Sequence, residues 1–81
     1  MEKETLNKLK PGSIARVYEL KSEGAIRQRL QDLGVIPGAS IECLYSSKGG
    51  AISAYQVCGS VIALRCEDAE NILTEPCGVI V

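Results

Sequence analysis

Hydrophobic and polar residues alternate along four stretches of the chain, a pattern typical of β-strands that bury one face. These stretches run over residues 13–20, 39–45, 52–57 and 61–66. Residues 78–81 are a further candidate for strand pairing. Since short connections join neighbouring strands near the end of the series, the pattern predicts a mainly antiparallel sheet.

Turn signals separate these strands. Two similar Pro–Gly pairs, at residues 11–12 and 37–38, each precede a strand. Proline presets the backbone for a tight turn and glycine accepts a positive φ, so each pair is predicted to reverse the chain. The segment 58–60 is short enough for a hairpin with Gly59 at positive φ, and residues 46–50 form a longer hairpin loop.

One segment has a helical period instead. Ile26, Leu30 and Leu33 lie at i, i+4 and i+7, which predicts a short amphipathic helix. Gly34 then fits a left-handed C-terminal cap, with Val35 supplying the apolar contact that accompanies such a cap. A second helical turn is predicted over residues 67–72, where acidic residues suit the positive end of a helix dipole.

The predicted fold class is mainly β: a small SH3-like partly open barrel with one short α-helix and one additional helical turn. At 81 residues and 8.7 kDa, the chain supports a single domain, residues 1–81, with one core. The residues predicted to fill that core are Ala15, Val17, Ile26, Leu30, Leu33, Ile41, Val57, Ile62 and Leu64.

Composition and charge narrow the class of protein. With 46% hydrophobic and 23% charged residues, the chain is expected to fold as a globular domain. Nine basic and ten acidic residues, without a block of like charge, argue against nucleic-acid binding. No stretch resembles a membrane span, and the charged start contains no secretory signal, so we expect a cytoplasmic protein without membrane insertion.

The chain contains no histidine, which removes the usual general base and the Ser–His and Cys–His pairs. Lysine and carboxylate bases remain, but no glycine-rich phosphate loop accompanies them. We therefore expect no enzyme, no catalytic residues and no cofactor.

Four cysteines raise the question of a metal site. Cys43, Cys58, Cys66 and Cys77 contain no C-x-x-C pair, the usual source of two ligands in structural zinc sites. Cys43 and Cys66 are expected on inward strand faces, the former beside an inward Tyr45, and the other two are expected to be reduced. No metal site is predicted.

Residues 26–41 resemble the FeoA family pattern of a basic helix, Leu-x-x-Leu-Gly, and a Pro–Gly turn that opens a strand. Residues 9–17 are similar to the first strand entry of that family, and residues 62–70 to its last hairpin and helical turn. The resemblance covers about residues 6–74. It implies an SH3-like fold and a non-enzymatic role in ferrous-iron uptake beside FeoB, a membrane permease with a cytosolic GTP-binding domain.

The resemblance also implies a docking surface. The exposed side of the segment from Arg27 to Gly38 is expected to dock on FeoB and to bring the protein to the inner face of the cell membrane. The partner-binding residues are Arg27, Arg29, Gly34, Pro37 and Gly38. Arg27 is the favoured contact because it is expected to point away from the apolar stripe, whereas Arg29 flanks the stripe and is expected to be held by packing.

Two other interpretations stay open: a generic SH3-like adaptor for proteins or peptides, and a small thiol metal carrier. Similar domains form the C-terminal end of iron-dependent repressors of the diphtheria-toxin-repressor type. This sequence has no helix-turn-helix ahead of the domain, so a stand-alone repressor is not expected. Self-association, and direct binding of iron or another transition metal, are also open.

Overall fold

A single antiparallel sheet organises the molecule. The computed structural model describes residues 3–76, and within them six strands have the order β1-β6-β2-β3-β4-β5. The elements in chain order are β1 (Glu4–Thr5), β2 (Ile14–Leu20), α1 (Gly24–Asp32), β3 (Ser40–Ser46), β4 (Ile52–Val57), β5 (Ser60–Arg65), α2 (Cys66–Ala69) and β6 (Ile72–Pro76). A single 3-10 turn occupies Leu6–Lys8, and Lys48–Gly50 is a turn in which Gly49 has a φ of 85°. The mainly β, SH3-like class is confirmed.

Both predicted Pro–Gly turns are present. In each, the residue after the glycine donates its N–H to the carbonyl of the residue before the proline, with N···O distances of 3.0 Å. Gly12 and Gly38 have φ of 88° and 95°, the conformation that favours glycine. Gly12 N–H also bonds the Cys43 carbonyl at 2.8 Å, and Gly38 N–H the Val17 carbonyl at 2.8 Å. The turns therefore fix both ends of the β2–β3 pair.

Two β-bulges bend the sheet and change which residues face the core. The register shifts across Tyr18 in β2 and across Leu44 in β3. An extra residue reverses the alternation beyond it, so Cys43 is buried but Tyr45 is 60% exposed. The prediction of an inward Tyr45 was wrong because strand alternation alone does not reveal a bulge.

The core is one cluster of buried residues, most of them apolar side chains from the strands. Of the predicted core residues, Ile26 and Leu33 are partly buried and the other members are buried. The sequence prediction missed Leu6, Val35, Tyr55 and Ile72, none more than 1% exposed. Leu6 lies in a 3-10 turn, Val35 follows the α1 cap, and Ile72 lies in a strand that was not predicted, so periodicity gave little signal at these three. Tyr55 is different, because it lies within the predicted strand β4 and on the same face as Val57.

The end of the described chain differs most from the prediction. The second helix has only four residues, and Ile72, predicted to end a helical turn, begins β6 between β1 and β2. Cys66 is the first residue of α2 and half-buried, not a strand residue. Cys77 and the candidate strand 78–81 lie outside the described residues. Over residues 3–76, no helix is long or apolar enough to cross a lipid bilayer.

Candidate docking surface

Helix α1 ends in a Schellman motif at the glycine predicted from the sequence. The N–H of Val35 donates to the carbonyl of Leu30 at 2.9 Å, and the N–H of Gly34 donates to that of Gln31 at 3.0 Å. Gly34 has a φ of 101°, while Val35 and Leu30 are both buried, which supplies the apolar contact of the motif. The cap prediction is confirmed, and the chain leaves α1 in a fixed direction.

The β4–β5 hairpin packs against this cap. Cys58 and Gly59 have φ of 51° and 81°, the two positive values of a type I′ turn. A Cβ atom on Gly34 would lie 2.7 Å from the Sγ of Cys58. Gly34 is therefore required both by its own conformation and by the close approach of the hairpin.

Arg27 is engaged by the chain itself. One of its guanidinium nitrogens donates to the carbonyl of Leu20 at 2.7 Å and to that of Ser22 at 3.4 Å. These hydrogen bonds link the middle of α1 to the end of β2 and to the segment that follows it. The side chain is exposed, as expected, but its guanidinium is not the unengaged group that the sequence interpretation favoured for docking.

Arg29 instead lines a groove between α1 and β5. The groove has a volume of about 480 Å³. One wall consists of Ile26, Arg29, Leu30 and Leu33 from α1; the other is the run 61–65 of β5, with Asp68 at one end. Most of the lining residues are apolar, and the charged ones are Arg29, Arg65 and Asp68.

The other predicted docking residues have structural roles. Gly34 ends α1, and Pro37 and Gly38 form the turn that is bonded to β2. Between them, Ile36 is 47% exposed. The segment therefore offers an exposed apolar residue and Arg29 on a backbone that the cap and turn hold rigid.

Sequence reasoning missed the β5 wall of the groove. Val61 is 64% exposed and Arg65 is exposed, both at positions that strand alternation directs outward. That alternation was readable, but the position of β5 at the edge of the sheet depends on how all strands pair.

The three cysteines in the described part of the chain lie in different elements. Cys43 is buried, Cys58 is exposed in the hairpin turn, and Cys66 is half-buried with its Sγ accepting from the Asn7 side chain at 3.6 Å. All three are free thiols. No group of three or more metal-ligating side chains occurs within residues 3–76.

The curled antiparallel sheet, the Pro–Gly strand entries and the capped helix define a small SH3-like domain. The model of the FeoA domain matches residues 4–76, and the chain belongs to the FeoA family. No curated protein matches the chain significantly in sequence.

Solved structures agree with this family. The chain is similar to the FeoA protein from Chlorobium tepidum, with 31% identity over 91% of this chain and 70% of that chain, and a TM-score of 0.85. It is also similar to FeoA of Stenotrophomonas maltophilia, solved with zinc and described as a prokaryotic SH3 domain protein with a suggested role as a ferrous iron transport activating factor. That match has 27% identity, covers 88% of each chain and has a TM-score of 0.78.

A manganese-dependent transcriptional repressor shares the fold alone. It is 11% identical, and the match covers 95% of this chain but 38% of the repressor, with a TM-score of 0.85. Such a likeness carries no statement about DNA or manganese for this chain.

Proposed function

We propose that this chain is a non-enzymatic accessory protein of ferrous-iron uptake that docks on the cytosolic part of a FeoB-type permease. The observation that carries the proposal is the FeoA-domain match, which spans nearly all of the described fold. The suggested role of the Stenotrophomonas relative in ferrous iron transport supports the same assignment. In this proposal the protein works in the cytoplasm and reaches the membrane through its partner.

The surface proposed for docking is the face of α1 that borders the groove, together with the exposed Ile36. Arg29 replaces Arg27 as the leading contact because Arg27 already bonds two backbone carbonyls. A guanidinium group matches carboxylate or phosphate groups in bidentate geometry, and a capped helix holds it rigidly.

The thiol-carrier interpretation has less support. A carrier for a soft metal ion needs two or more thiols that reach one ion. The three described cysteines occupy the core, a hairpin turn and the start of α2, and none of them belongs to a group of three or more metal-ligating side chains within residues 3–76.

Affinity capture tests the proposal. The full chain, immobilised through a tag, is expected to retain FeoB from detergent-solubilised membranes of its own host. Arg29→Glu should reduce the retained FeoB by about tenfold, since a contact to a charged group is typically worth that much. Lys10→Glu is the matched control, because Lys10 is exposed in the first Pro–Gly turn and does not line the groove.

Ferrous-iron uptake gives the functional readout. In cells without the wild-type copy, Arg29→Glu at normal abundance should lower uptake, and Lys10→Glu should not. No capture of FeoB by the wild-type chain, together with normal uptake in cells that lack it, would contradict the proposed function.

A further inference from the structure

The outer edge of β5 carries main-chain groups that face the groove. Val57 and Ser60 are partners across the two-residue turn, and in such a hairpin the closing pair is hydrogen-bonded. Hydrogen-bonded and non-bonded pairs then alternate, so the N–H and C=O groups of Val61, Ala63 and Arg65 point away from β4. Within residues 3–76, β5 pairs with β4 alone.

The shape of the groove follows this edge. Successive side chains of a strand point to opposite faces of a sheet. All five consecutive residues 61–65 line one groove, which a strand does only when the groove runs along its backbone edge. The opposite wall, α1, presents Ile26 and Leu33, both partly buried apolar residues. An extended chain in this groove would meet a polar edge on one side and an apolar wall on the other.

The charged residues that line the groove indicate which kind of peptide segment it would bind. The guanidinium groups of Arg29 and Arg65 border the groove, and Asp68 is the only carboxylate among the lining residues. Unlike Arg27, neither arginine has a side-chain hydrogen bond within the described part of the chain. The groove thus has an excess of positive charge, with donors that suit carboxylates.

We infer that this groove binds an extended acidic segment of a partner protein as an additional strand on β5. Main-chain bonds to Val61, Ala63 and Arg65 supply the affinity, alternate apolar side chains pack on α1, and carboxylates pair with Arg29 and Arg65. The inference deepens the proposed docking on FeoB and rests on it only for the identity of the partner.

A second copy of this chain is a poorer occupant. The run from Ser60 to Arg65 contains no acidic residue. Pairing β5 with itself would add two further guanidinium groups to a groove that already has an excess of positive charge. Edge strands also resist self-pairing when they carry charged residues.

The test uses a synthetic peptide of roughly ten residues, longer than the six of β5, that alternates valine with glutamate. Titration into the isotopically labelled full chain is expected to shift the amide resonances of Val61, Ala63 and Arg65. Hydrogen exchange at those amides should slow by about tenfold or more on binding. A matched peptide that alternates valine with lysine should bind at least about tenfold more weakly.

Two variants separate the main-chain and charge contributions. Ala63→Pro removes an edge N–H at a strand position where proline is tolerated, and Ala63→Ser keeps that N–H as the control. Proline should weaken binding by about tenfold and serine should not. Arg29→Glu combined with Arg65→Glu should reverse the preference between the two peptides. Circular dichroism confirms that each variant is folded.

Three outcomes would overturn the inference: no binding of the acidic peptide, binding without protection of the edge amides, or slow exchange of those amides in the free protein. Slow exchange before peptide is added would mean that another segment or a second copy already occupies the edge. Capture of FeoB despite no peptide binding would leave the proposed function standing. Peptide binding without FeoB capture would remove the proposed partner and keep the site.

Discussion

The Sγ atom of Cys58 lies 3.7 Å from the carbonyl oxygen of Gly34, across the junction between the end of α1 and the turn of the β4–β5 hairpin. Both residues have a positive φ, 51° for Cys58 and 101° for Gly34. Two tight turns from separate parts of the chain therefore pack directly on each other. Their contact fixes the distance between α1 and the start of β5, the two walls of the groove.

Alanine at two glycines distinguishes conformational strain from crowding. Gly34 and Gly38 have similar φ, but a Cβ atom would clash with Cys58 only at Gly34 and would meet nothing within 4 Å at Gly38. Gly38→Ala should lower the free energy of unfolding by about 1–2 kcal/mol through strain. Gly34→Ala should lower it by about 2–4 kcal/mol because crowding adds to that strain. Urea denaturation measures both.

Removing the Cys58 side chain tests the cause of the difference. In Gly34→Ala combined with Cys58→Gly, the clash is absent and only the strain at residue 34 remains. The double variant should therefore lose less stability than the sum of the two single changes. Simple additivity would mean that the Gly34–Cys58 contact does not contribute.

Leucine-to-alanine changes on α1 should rank by burial. Leu30 is 1% exposed, and Leu33 is only partly buried against the core. Leu30→Ala should lower stability by about 2–5 kcal/mol, as expected for a fully buried leucine. Leu33→Ala should lower stability by less, although the helical period alone predicts the same loss of stability for both leucines. Equal urea midpoints for the two variants would show that the helix is rotated from the described position.

The two arginines of α1 should behave differently in stability measurements. Arg27 donates to the Leu20 and Ser22 carbonyls, whereas Arg29 borders the groove. Arg27→Ala should reduce the free energy of unfolding by about 1 kcal/mol, a modest value because the side chain is exposed. Arg29→Ala should change it by less than about 0.5 kcal/mol. The reverse order in thermal melts would assign the structural role to Arg29.

Tyr55 should make stability fall at high pH. Burial raises the pKa of its phenol above the usual value of about 10, and its hydroxyl donates to the Leu6 carbonyl at 3.4 Å. Above pH 10 the unfolded chain loses this proton while the folded chain retains it, so stability drops as pH rises through the raised pKa. Tyr55→Phe should show a shallower decline, measured by urea denaturation between pH 8 and 11 (roughly the range in which phenols ionise). Parallel curves for the two proteins would exclude Tyr55 as the cause.

The fold should not depend on metal or on disulfides. The core is contiguous and apolar, and the three cysteines in the described residues are free. The β circular-dichroism signal should therefore be unchanged by EDTA and by a thiol reductant. A loss of signal with either reagent would show that metal or thiol chemistry holds the domain together.

Local signals determined much of this fold. The Pro–Gly turns depend on backbone preferences of adjacent residues, and the Gly34 cap follows from an apolar stripe that stops at a glycine. Both were predictable because the interactions that form them join residues fewer than six apart. The four long strands were predictable for the same reason, since alternation is a property of each segment alone.

Tertiary structure decided the features that bear on function. The bulge at Leu44 turns Tyr45 outward, the backbone carbonyls at the end of β2 engage Arg27, and β5 becomes an edge because β6 pairs on the far side of the sheet, with β2 and β1. Each outcome depends on which distant segments meet. The hydrophobic period of one segment does not reveal which other segments it pairs with. The sequence by itself therefore determined which turns and strands exist, whereas only the assembled sheet decided which arginine and which strand edge face the groove.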